Sequence, residues 1–177
     1  MKKNQKGFSL IELLIVVAII LIIAAIAIPN LLRSKIAANE SSAVGSVRTI
    51  GTAEVTYSSS WGTGYSVDLK SLGGAAPCTN AAAGAACLID PLLSNTQVKS
   101  GYSFNAAGTL ADAAGTLNGF EINATPTNYQ TTGVRAFCDD QIGILKFVAN
   151  GAAAIGVAAG NCAGVANAPP ASGPVGN

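Results

Sequence analysis

Residues 8–28 read FSLIELLIVVAIILIIAAIAI, and how this stretch is understood decides the fold. The run carries a single charge, the carboxylate of Glu12. A helix rises about 1.5 Å per residue and needs roughly 20 residues to cross about 30 Å of hydrocarbon, so the stretch is long enough to span a membrane. An acidic side chain within such a span costs about 2.5 to 3.5 kcal/mol on insertion scales, which marks Glu12 as a residue with a task. Its place one turn inside the run lets it reach partway back toward the interface.

The chain has 177 residues, a formal net charge of +1 and no histidine. With the apolar run set aside, roughly 150 residues remain, enough for one small domain. Lys2, Lys3 and Lys6 precede the run, and the rest of the chain holds the other seven Lys/Arg and all nine Asp/Glu. By the positive-inside rule the N-terminus then lies in the cytoplasm. A balanced charge with no basic, aromatic-interleaved patch gives no nucleic-acid site. Catalysis is not expected either, because the chain lacks histidine, G-x-S-x-G and a phosphate loop, so neither an enzyme nor a cofactor is read from it.

Cysteines stand at 78, 87, 138 and 162, all beyond the apolar run, as exported disulfides would be. Four cysteines allow three pairings. The sequential one, Cys78–Cys87 with Cys138–Cys162, closes two short local loops and is favoured. A zinc site is the rival, but the spacings lack a C-x-x-C knuckle, and no metal is expected. Asp139 with Asp140 offers only two acids without calcium-ligand spacing and reads as a charged hairpin corner. Asn39-Glu40-Ser41 and Asn123-Ala124-Thr125 match the glycosylation sequon, but one falls on an expected helix and the other within an expected strand.

The string KGFSLIELLIVVAII at residues 6–20 resembles the prepilin signature of type IV pilins, and of the related pseudopilins of type II secretion. It has a glycine, then a phenylalanine, then a glutamate four residues later, then the long apolar stretch. The likeness covers roughly residues 1–60. It implies a leader peptide at 1–7, a prepilin peptidase that cuts between Gly7 and Phe8, and N-methylation of the new Phe8 amine. It further implies a precursor held single-pass in the inner membrane and then assembled as a homopolymeric surface pilus by an assembly platform and motor machinery. The alternatives are a pseudopilin or, if Gly7 is never cut, a membrane-anchored binding domain. Ordinary signal cleavage near Ala24, Ala25 and Ala27 is the blander account of the same run.

The chemistry of the cut end can be argued without the resemblance. Cleavage would free a cationic amine at Phe8, and residues four apart share a helix face, so one end would present both a cation and an anion. A neighbouring subunit's amine would relieve a buried Glu12 and fix the register of packing. The small residues Ala24, Ala25 and Ala27 suit close helix approach. Pro29 lacks a backbone donor and crowds the Ala25 carbonyl, a soft point in the helix at the end of the 8–29 span.

From residue 30 the pattern turns amphipathic. Leu32, Ile36, Ala43, Val47, Ile50 and Tyr57 recur at helical steps, so the helix continues over 30–61 and stops at Gly62 and Gly64. Residues 62–100 read as a loop between helix and sheet, with short turns at 67–72 and 90–93. Beyond residue 100 the period becomes two. Tyr102 and Phe104 alternate with polar residues, as do Phe120, Ile122 and Ala124 with Glu121 and Asn123; strands are also expected at 134–139 and 142–148. The expectation is an α+β fold, the pilin ladle, with a four-stranded antiparallel sheet on the C-terminal half of the long helix. A disulfide-bounded region closes the 101–165 segment, and 166–177, rich in Pro and Gly, is expected as a flexible tail.

Overall fold

The computed structural model describes residues 7–74, 77–166 and 171–175. Residues 1–6 of the leader, 75–76 of the Ala/Gly loop, and 167–170 and 176–177 of the tail lie outside the described residues. The architecture is α+β, a long N-terminal helix followed by an antiparallel sheet. Two compact units divide the chain, Met1–Lys35 and Ile36–Asn177.

Helix α1, Leu10–Trp61, runs through both units with Pro29 inside it. In the first unit its apolar side chains stay exposed from Leu10 to Leu32. In the second unit a stripe at Ala43, Val47, Ile50, Ala53 and Tyr57 is buried, following the three- and four-residue steps of a helix packed on one face. The expected apolar stripe began earlier, at Leu32 and Ile36, but Leu32 keeps 43% exposure.

The connection after α1 contains two short helices, each started by an aspartate. Asp68 caps α2, Leu69–Leu72, by accepting from the Ser71 N–H at 2.9 Å. Asp90 caps α3, Pro91–Thr96, by accepting from the Leu93 N–H at 2.8 Å, with proline in the first turn where no donor is needed. A disulfide joins Cys78 to Cys87 beside α2, and a second joins Cys138 to Cys162.

The sheet has six strands rather than the four expected: β1 Val98–Lys99, β2 Tyr102–Ala111, β3 Leu117–Pro126, β4 Ala136–Asp140, β5 Lys146–Val148 and β6 Ser172–Pro174. They pair in simple sequence order, every neighbour antiparallel. The two additional strands are short. β1 is joined to β2 by Ser100-Gly101, both at positive φ (50° and 72°), the mirror-image turn that suits a two-residue hairpin. β6 comes from within 166–177, where a flexible tail was expected, and hydrogen-bonds along β5.

Two further differences concern β3 and β4. Asp139 and Asp140 are strand residues rather than a corner, and the turn begins at Gln141. Glu121 and Asn123 of β3 do not face water: Glu121 is 1% exposed and Asn123 is 6%. The sheet is covered twice over, by α1 on one face and by the 150–165 segment on the other. Asn123 donates its amide to the Ile155 carbonyl, and Glu121 accepts from the N–H groups of Gly160 and Cys162 at 2.7 and 2.9 Å. A strand buried on both faces loses its alternation of environment, though not of side-chain direction.

Candidate functional site

The N-terminal segment presents a residue pattern that the rest of the chain does not. Gly7, Phe8 and Ser9 precede the first helical residue and are exposed. Phe8 stands 76% open to its surroundings. Ser9 and Glu12 occupy the N-cap and third positions of α1, the S-x-x-E spacing of a capping box. The Ser9 N–H donates to Glu12 Oε2 at 3.0 Å, and the Leu13 N–H reaches the Ser9 carbonyl at 3.2 Å. The single charge of the run therefore turns back toward the helix start, where the positive end of the macrodipole favours an anion. Its carboxylate thus meets the N–H of Ser9, the residue next to Phe8.

Below this cap, Leu10, Leu13, Leu14 and Val17 line a shallow apolar groove at the spacing of one helix face. Among the described residues α1 is the helix long and apolar enough to cross a membrane. Pro29 leaves the Ala25 carbonyl without its usual amide partner. The helix continues past it without a break.

In the second unit, three glutamates that sequence reasoning did not single out act as fasteners. Glu40 accepts from the backbone N–H of Val134 and Arg135 at 3.0 Å each and pairs with the Arg135 guanidinium at 2.7 Å. Arg135 in turn lies over the rings of Phe137 and Phe147. Glu54 is wholly buried and accepts from Ser66 N–H at 2.9 Å and Ser66 Oγ at 2.7 Å, tying the helix to the loop that follows it. Burial drives its pKa up to about 7 against the two hydrogen bonds that favour the charged form. Glu121 holds the amides of the 160–162 turn. On the far side of that turn Lys146 Nζ donates to the carbonyls of Cys162 and Ala163 at 3.1 and 2.9 Å. One signal was available for Glu40 and Glu54: acidic residues on the buried side of an amphipathic helix must find partners.

Asp139 and Asp140, the pair weighed for metal, sit at the end of β4 beside an open cleft of about 400 Å³ bordered by Arg48, Thr52, Val55, Phe120 and Gln141. Burial raises the Asp139 pKa to about 6, with the Asp140 N–H hydrogen bond and Arg48 opposing it. Among the described residues no group of three or more His, Cys, Asp or Glu is placed to hold a metal ion.

The sequence matches the family model described as the prokaryotic N-terminal methylation motif over residues 2–28. Over 38 residues it is 63% identical to the type IV wide pilus major component PilA4 of Thermus thermophilus, an overlap of 22% of this chain and 29% of that protein. By its N-terminal segment the chain is similar to a type IV pilin. The chain thus spans under a third of the length of the curated relative it matches. No solved structure matches the chain. The Phe8, Glu12 and apolar-helix pattern lies within the matched residues, whereas the globular unit, from the amphipathic half of α1 to β6, carries features of its own.

Proposed function

We propose that this pilin is a structural subunit of a type IV pilus. It waits in the inner membrane with its N-terminus in the cytoplasm, is cut between Gly7 and Phe8, methylated on the Phe8 amine, and assembled into a homopolymer through packing of the exposed apolar helix. The observation that carries this reading is an exposed, membrane-length helix with one carboxylate four residues from Phe8, within a segment matching the N-terminal methylation motif. Gly7 and Phe8 lie ahead of the first helical residue, so a peptidase meets extended chain rather than helix.

After the cut, Glu12 has two candidate cations at the helix start: its own Phe8 amine and that of a neighbour. In a core of packed apolar helices, pairing with the neighbour relieves the cost of a buried charge and fixes which residues lie opposite one another. Pro29 adds local compliance where helices must adjust to each other.

Mass spectrometry of filaments sheared from cells tests the reading. The expected subunit begins at Phe8 and carries one added methyl group, and an N-terminus that retains residues 1–7 in the assembled material would overturn it. Glu12→Gln should lower the yield of sheared filaments at least about tenfold while the subunit persists in the membrane, a loss in keeping with an unpaired buried amine. Normal yield would remove the register role from Glu12. Imaging of the cell surface distinguishes a pilus from a type II secretion pseudopilin, which would give no sheared surface filaments.

A further inference from the structure

We propose that the cleft between α1 and the turn after β4 receives the Arg33 guanidinium of a second copy of this chain, with Asp139 as its carboxylate partner. The inference rests on the filament reading and adds a second polar contact to the one at Phe8.

Asp139 is 6% exposed and lines the cleft. Its Oδ1 accepts from the Asp140 N–H at 3.0 Å, while Oδ2 has no hydrogen-bond partner among the described residues. That free oxygen points toward α1, since a methyl placed on Gly51 would stand 3.3 Å from it. Asp140 is 3% exposed and has one oxygen occupied by the Ile142 N–H at 2.8 Å. Across the cleft, Arg48 favours the charged form of Asp139 but makes no ion pair with it. The Asp139 carboxylate thus faces the Arg48 guanidinium only at longer range, and the cleft, about 400 Å³, has room for a second cation. Val55, 57% exposed, gives the cleft an apolar border that a side chain with an aliphatic stem would cover.

The chain supplies such a side chain at the end of its own apolar run. Arg33 is exposed and, among the described residues, free of ion pairs. Its planar fork can bridge both oxygens of a carboxylate, which an ammonium cannot. At about 100° per residue Arg33 falls within roughly 60° of Glu12 around α1, so a surface that brings Glu12 against neighbours has Arg33 beside it. Lys35, two residues on, faces the other way. In sequence Arg33 precedes Arg48 by fifteen positions, whereas Phe8 and Glu12 are four apart. In parallel helices no single neighbour can satisfy both pairings, so the two contacts would fix two different subunit relations.

A double-mutant cycle in the full-length chain tests this, read as the ratio of assembled to membrane-held subunit. Arg33→Gln and Asp139→Asn should each lower the ratio about tenfold, and the double variant should lose no more than either alone. Lys35→Gln should leave it unchanged. Losses that multiply in the double variant, or an equal loss from Lys35→Gln, would overturn the proposal. Should Asp139→Asn disturb folding, seen as a lowered melting temperature of the detergent-held chain, Thr52→Lys provides the second test. Thr52 is exposed at the cleft, so its lysine would occupy the cleft from within. It should reduce assembly as Arg33→Gln does, with no further loss in the Arg33→Gln background, and a wild-type ratio would overturn the proposal. Absence of polymer in every variant, the wild type included, would instead bring down the filament reading itself.

Discussion

At the scale of single residues the protein is governed by where its carboxylates end up. Glu54 has no water contact, two hydrogen bonds from Ser66, and a pKa raised from 4.5 to about 7. A carboxyl whose pKa is raised by folding binds more protons folded than unfolded, so its contribution to stability is fully present below the unfolded value and is lost as pH rises toward 7. The size of that loss is about 3 kcal/mol at one pKa unit per 1.36 kcal/mol. Asp139, raised to about 6, acts in the same direction over a lower window, whereas Asp90 and Asp112, whose pKa values are lowered by hydrogen bonds, act in the opposite sense. Thermal melting of the detergent-held chain should therefore show a fall in melting temperature between about pH 4.5 and 7 that Glu54→Gln flattens. Gln keeps an acceptor for the Ser66 N–H while its amide donates to Ser66 Oγ. A variant whose melting temperature still follows that of the wild type across this range would assign the pH dependence elsewhere.

At the scale of elements, the two disulfides close loops of different length and surroundings. Cys138 and Cys162 are wholly buried, 24 residues apart, and tie β4 to a turn already gripped by Glu121 and Lys146. Cys78 and Cys87 are 9 apart on a more exposed loop. Loop-closure entropy gives about 3.5 kcal/mol for the first and about 2.7 kcal/mol for the second. Replacing Cys138 and Cys162 together by serine should thus lower the denaturant midpoint more than replacing Cys78 and Cys87, and the cavity left at the buried pair widens the gap. The reverse order would mean that the short loop carries more of the fold than its exposure suggests.

The same elements show how far the sequence could be read. The first part of α1 was legible from composition alone, since an apolar run of 21 residues with one charge admits few other structures, and β2 was legible because its burial alternates from Tyr102 to Ala106. The start of β4 and the environment of β3 were not. Hydrophobic alternation reports a strand with one wet face, and β3 has none: Glu121 and Asn123 are buried under the 150–165 segment, which as a run of Ala and Gly carries no periodic signal. β1 and β6 escaped for another reason, being two and three residues long, too short for any period to show. At the N-terminal end, Phe8 and Glu12 stood out by their type and spacing. The clamps of Glu40 and Glu54 depend on partners up to 95 positions away, which no local pattern encodes.

At the scale of the whole molecule, the two units differ in how they meet their surroundings. Ile36–Asn177 encloses its own core, with Tyr102, Phe104, Phe137, Ile50, Leu69 and Leu72 fully buried, whereas the apolar side chains of Met1–Lys35 remain open. A chain that begins at Ile36 should therefore be soluble, melt cooperatively and elute as a monomer on gel filtration. Aggregation of that fragment would show that the globular unit needs the preceding helix. A last consequence concerns crowding. A sheet in simple sequence order leaves two free edges, and strand edges brought to high local concentration tend to zip together into fibrils. Here one edge strand has two residues and ends in Lys99, and the other has three and ends in Pro174, which offers no N–H. Each edge strand offers a stray strand only two or three residues to pair with. Under the filament reading, many copies side by side would find little at these edge strands along which to zip together.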